Sequence, residues 1–146
     1  MMYKKLALAI SINAVIMYLL TYVMIDEIDH LYLNINRLYM ALIMVAPMVI
    51  VMLLVMRSMY ENEKLNYMLI AAFSGLFILS FYLARTQTPV GNDQFLRSMI
   101  PHHSSAILMC QQSEITDSEI INLCEQIVKA QEDEIAQMKA ILERSR

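Results

Sequence analysis

The sequence predicts an all-α protein in which three transmembrane helices precede an extramembrane helical hairpin. Three observations carry this reading. Hydrophobic residues make up 58% of the 146 positions and charged residues only 17%. There are just 2 Gly and 3 Pro, fewer turn formers than a strand-rich chain needs. Three long charge-free runs are followed by a polar tail whose apolar residues recur at helical spacing.

The first run, Leu6 to Ile25, has 20 residues without a charge after a short basic start at Lys4 and Lys5. At about 1.5 Å per residue it forms about 30 Å of helix, enough to cross a bilayer. It is longer than a signal-peptide core and lacks a small-residue cleavage site, so it reads as a retained anchor. The connection Asp26 to Arg37 is polar. Leu38 to Met56 is the second run, 19 residues interrupted only by Pro47, which membrane helices tolerate. After the charged loop Arg57 to Asn66 comes Tyr67 to Ala84, 18 residues closed by Arg85. The spans therefore fall at about 6–25, 38–56 and 67–84 within a transmembrane domain 1–85. Tyr3, Tyr60 and Tyr67 mark one membrane face, and Tyr22, Tyr39 and Tyr82 the other. Lys4, Lys5, Arg57 and Lys64 outnumber Arg37 and Arg85, which predicts a cytoplasmic amino terminus and a tail on the far side.

Residues 86–92, with Pro89 and Gly91, read as a linker to a hairpin domain at 93–146. Asp93 is the expected N-cap of a helix to about Ser113, with Phe95, Leu96, Met99, Ile107 and Cys110 on its apolar face. A turn near Glu114 to Asp117, with Thr116 or Asp117 as the next cap, leads into a helix to about Arg144. Its stripe is Ile120, Ile121, Cys124, Ile127, Val128, Gln131, Ile135, Met138 and Leu142. The tail holds 9 acidic and 5 basic residues, so its outer face is solvated. Two helices alone cannot enclose a core. A second copy would complete a four-helix bundle across a two-fold axis, so a homodimer or higher homo-oligomer is expected.

The chemistry concentrates in Met99-Ile100-Pro101-His102-His103. Thioether and neutral imidazole suit soft ions such as Cu(I), and Met99 shares a helix direction with either histidine. The two imidazoles diverge by about 100° on a regular helix, although Pro101 kinks it. A carbonyl freed by that kink needs a donor, and a histidine N–H is one candidate, which gives the pair a purely structural alternative. With the hairpin turning near residue 115, Met99 is expected opposite Gln131 and His103 near Ile127. The expected ligand pool is therefore Met99, His102, His103, Met109, Gln131, Glu134 and Met138. No Glu stands three residues before either histidine, so a carboxylate-bridged di-iron site is excluded. No nucleophile–base arrangement is visible either, and the chain does not read as an enzyme. A net charge of −3 leaves no basic patch for nucleic acid.

Cys110 and Cys124 flank the turn as a disulfide, a soft-metal pair or small buried hydrophobes. Met40, Met44, Met48, Met52 and Met56 recur at every fourth position, a row favoured as packing over a Cu(I) path because no acidic or histidine group lies in that span. His30, one turn after Asp26, is either a cation collector or part of a solvated loop.

Taken together, Asp93, Phe95, Leu96, Met99-Ile-Pro-His102-His103, Ala106-Ile107, Gln131, Glu134-Ile135 and Met138 resemble the domain of unknown function 305 family. Arg37-Leu38-Tyr39-Met40 and Ser58-Met59-Tyr60 look like its three-span membrane-anchored branch. The resemblance implies a ferritin-like helical domain associated with bacterial copper handling outside the cytoplasm. It implies residence in the bacterial inner membrane, a role in sequestering, buffering or delivering copper, and copper-handling partners besides membrane lipid. Members often carry two hairpins where this chain has one, and their residues at 110 and 124 are usually small, so the cysteines inherit no role.

Overall fold

In the computed structural model, which describes residues 2–145, the chain is helical throughout and falls into two compact units. One holds the chain up to Thr21 with Asn36–Pro89. The other holds Tyr22–Ile35 with the chain from Val90 onward.

The first unit contains α1 (Met2–Leu20), α2 (Ile35–Val55) and α3 (Glu63–Thr86), all long and apolar enough to cross a membrane. α2 is the central helix: a third of its most apolar window is buried, against 6% in each of the other two. Val45, Val49 and Leu53 of α2 pack with Leu6 of α1 and with Tyr60, fringed by Ile10, Met48, Met52, Met56 and Phe73. The methionine row therefore divides. Met48, Met52 and Met56 fill the interface, while Met40 and Met44 are exposed. Met48 Sδ also accepts a hydrogen bond from Asn13 Nδ2 at 2.7 Å, so a polar group of α1 has a partner inside the bundle.

Both ends of this unit are tied by polar contacts. At one, the Tyr3 hydroxyl donates to Asn66 Oδ1 (2.9 Å), Asn66 Nδ2 donates to the Tyr60 carbonyl (2.7 Å), and the Tyr3 and Tyr60 rings lie 5.5 Å apart. Asn62 caps α3 by accepting from Leu65 N–H, which starts the helix four residues before the charge-free run. At the other end the Tyr39 hydroxyl donates to the Thr88 carbonyl (2.6 Å) and Asn36 Nδ2 to Gln87 Oε1 (3.0 Å). Tyr22 departs from the girdle expected of it. α1 ends at Leu20, not near Ile25, and Tyr22 is buried in the other unit.

That second unit is a hairpin of α4 (Asn92–Gln112) and α5 (Ser118–Arg144), with residues 22–35 folded onto it through a 3-10 turn at Ile28–His30. Its core is Leu96, Ile100 and Ile107 against Ile135, Met138 and Leu142, with Tyr32, Met99, Val128 and Ile141 at the margin. Asp117 caps α5 by accepting from Glu119 N–H and Ile120 N–H, and Glu119 and Arg144 match the helix dipole. α4 begins two residues earlier than Asp93 capping requires. Gly91 is the cap, and the Asp93 carboxylate instead meets Arg97 Nε at 2.7 Å one turn along. Phe95, Ile120 and Ile121, expected on the buried stripes, are exposed: the core gathers at the end of the hairpin away from its turn, which leaves Ile120 and Ile121 outside it, and at that end Leu96, not Phe95, faces inward.

Pro101 has no N–H, so the carbonyl four residues behind it, that of Arg97, loses its helical donor. Asn34 supplies one: its buried Nδ2 donates to the Arg97 carbonyl at 3.2 Å and to the Tyr32 carbonyl at 2.9 Å. The Tyr22 hydroxyl completes the knot. It donates to the Tyr32 carbonyl and accepts from Asn34. Neither histidine is needed to satisfy the carbonyl behind the proline.

Candidate functional site

The segment 100–104 is the most deeply buried turn of α4. Ile100, Pro101, His103 and Ser104 face inward and His102 faces solvent. His103 is 9% exposed, and its ring lies 5.9 Å from that of His102. Its Nδ1 is 3.0 Å from Glu134 Oε2 on α5. The carboxylate sits off the line of an in-plane N–H, so this buried nitrogen has a charge partner but no aligned hydrogen bond. Burial lowers the His103 pKa more than Glu134 raises it, and the nearby His102 lowers it further. The imidazole is thus held neutral at pH 7, the form that ligates metals.

The register differs from the one a turn near residue 115 implies. His103 meets Glu134, about two helical turns beyond Ile127. Cys110 and Cys124 form a disulfide with their Cα atoms 5.4 Å apart, and Ser113–Asp117 spans the gap beyond. The other expected ligands are distributed. Met99 and Gln131 are half-buried, Met138 is a core residue, and Met109 is exposed about 9 Å along α4 from His103. Among the described residues, no three His, Cys, Asp or Glu side chains converge as a metal cage. One chain therefore brings together His103, Glu134 and the neighbouring His102, with Met99 and Met138 in the adjacent core.

Behind His103 lies a second polar cluster. Ser104, fully buried, accepts from Asp26 N–H at 2.7 Å and stands 2.9 Å from His30 Nδ1. His30 is buried, not solvated, and desolvation lowers its pKa, with Lys139 adding to the effect. Lys139 pairs with Asp29, whose carboxyl it holds below the ordinary value. Asp26, Glu27, His30, Glu132 and Lys139 border an adjoining cavity of about 290 Å³ with Ile107 and Ile135. The sequence offers His30 as a cation collector with Asp26 or as part of a solvated loop; here Asp26 joins the cluster through its backbone N–H. The cluster's burial against α4 was not readable, because nothing local marks Ser104 as its partner.

A helical protein with three helices apolar enough to cross a membrane and a histidine-bearing hairpin is the class these features define. The model of the family described as a domain of unknown function (DUF305) matches residues 81–142. The chain is also 32% identical over 120 residues to the uncharacterized protein L153 of Acanthamoeba polyphaga mimivirus, an alignment covering 81% of this chain and 77% of that protein. That alignment is longer than the part of the chain the family model matches, so the similarity extends beyond it toward the spans. The chain belongs to the DUF305 family. No solved structure matches it.

Proposed function

We propose that this chain is a membrane-anchored soft-metal-binding protein that holds Cu(I) at the His102-His103 turn for sequestration, buffering or delivery, without catalysing a reaction. The observation that carries the reading is His103: a buried, neutral imidazole whose Nδ1 faces the Glu134 carboxylate. A carboxylate on one ring nitrogen orients the imidazole and raises the basicity of the other, which is how metal-bound histidines are commonly supported. His102 and the thioether of Met99 are the nearest further donors, and both types suit Cu(I). Asn34 already donates to the carbonyl freed by Pro101, which supports this reading over one in which the pair braces the kink.

A second copy would double the donors that one chain offers. α5 carries exposed Ile120, Ile121 and Leu123, and α4 exposed Phe95 and Met109, apolar surface that a dimer would cover. The excess of basic residues at the Lys4 and Arg57 loops favours a hairpin outside the cytoplasm, and a disulfide suits an oxidising compartment. A plasma-membrane location with copper-handling partners follows from that orientation.

The test is copper retention. Detergent-solubilised protein, loaded with Cu(I) and washed, keeps metal and has the native mass of a dimer or larger assembly. The His102→Ala/His103→Ala form keeps at least tenfold less. Equal retention by both forms rejects the site. A scaffold without metal, favoured by the absence of a three-ligand cage among the described residues of one chain, instead predicts lower thermal stability and unchanged copper.

A further inference from the structure

We propose that Cys110 and Cys124 form a redox-gated Cu(I) site, separate from the histidines: masked as a disulfide and opened by thiol–disulfide exchange. The two cysteines sit on different helices of a tied hairpin, and their Cα atoms are 5.4 Å apart. That spacing accommodates a disulfide. It also accommodates a bridging ion: metal–sulfur bonds of about 2.3 Å place two sulfurs about 4.6 Å apart in a linear site, reached by side-chain rotation with both helices fixed. Thiolate pairs select soft ions.

Access agrees with this use. Both cysteines are half-buried and border an open cavity of about 410 Å³, rimmed by Ser113, Ile115, Glu125 and Lys129. A reactant can therefore reach the sulfurs without unfolding the hairpin. Two thiolates holding Cu(I) carry a net charge of −1, and Lys129 borders the cavity together with the carboxylates Glu125 and Glu132. Cys110 lies about 10 Å along α4 from His103, too far to share its ion.

The chemistry balances with a dithiol protein as reductant. One donor thiolate attacks a sulfur of the pair, breaking the S–S bond and releasing the other cysteine as a thiolate. The donor's second thiol displaces the mixed disulfide, leaving the donor oxidised and both cysteines reduced after uptake of two protons. Cu(I) binding then releases those two protons.

The experiment uses the full chain in detergent, in a His102→Ala/His103→Ala background, so that failure here is distinct from failure at the histidines. Protein is left oxidised or reduced with a trialkylphosphine, which leaves no competing thiol, and is titrated anaerobically with Cu(I) held by a chromophoric chelator. The reduced form takes up one more Cu(I) per chain than the oxidised form, and Cys110→Ser/Cys124→Ser abolishes the increment. Bound Cu(I) also slows alkylation of the reduced thiols at least tenfold, a readout that needs no cysteine variant. Equal uptake by both redox forms, an increment that survives the serine substitutions, alkylation indifferent to copper, or a bond the phosphine cannot reduce in the folded protein would each overturn the proposal.

Discussion

Asn34 stands 63 positions before the carbonyl of Arg97 that it satisfies, and that carbonyl is free only because residue 101 is proline. Removing the amide leaves a buried acceptor unpaired, which costs about 1–3 kcal/mol. We expect Asn34→Ala to lower the unfolding temperature of the detergent-solubilised protein. Pro101→Ala restores an N–H to α4, so the two substitutions together should cost less than the sum of each, and a double-mutant cycle by thermal unfolding measures that coupling. His30 belongs to the same scale. Its pKa is lowered in the folded state, so the unfolded chain binds protons more readily below the ordinary histidine range. The stability it contributes is complete above about pH 6.5 and declines as pH falls below it. Glu27, Asp29 and Asp26 oppose the depression and Lys139 supports it, but burial dominates. Hydrogen exchange in residues 22–35 should therefore accelerate between pH 7 and 5 beyond the intrinsic change, and His30→Gln should remove that pH dependence.

Among the elements, the three spans were legible because a charge-free run of about 20 residues has few other uses. The α5 boundaries were equally plain: Asp117 is a strong cap and Arg144 ends the pattern. What could not be read was that the first connection folds onto the hairpin. Asp26, His30 and Asn34 look like a solvated loop, and their partners Ser104 and Arg97 lie more than 60 residues away. The site was legible in part. His103 and Glu134 were both named, but a hairpin turning near residue 115 put Ile127, not Glu134, beside His103. A further consequence concerns the hairpin's cover, since Tyr32 lies on its core and Asn34 and His30 occupy its polar groups. A fragment of residues 90–146 should be less helical and melt less cooperatively by circular dichroism than one to which residues 22–35 have been joined. Equal melting of the two fragments would remove the connection from the stabilising core.

For the whole molecule, the chain visits the hairpin unit twice, once between α1 and α2 and again after α3. The hairpin has only part of its apolar surface covered and holds a neutral histidine against a carboxylate, the two features on which the proposed binding role rests. Membrane attachment would then fix the site to one surface and leave ion exchange to whatever partner approaches the hairpin. X-ray absorption at the copper edge of the Cu(I)-loaded full chain, kept oxidised so that its cysteines stay masked, tests this most directly. The account predicts the multiple-scattering signature of imidazole in the native protein and its loss in His102→Ala/His103→Ala, whereas a spectrum without imidazole, or one unchanged by the double substitution, would contradict it.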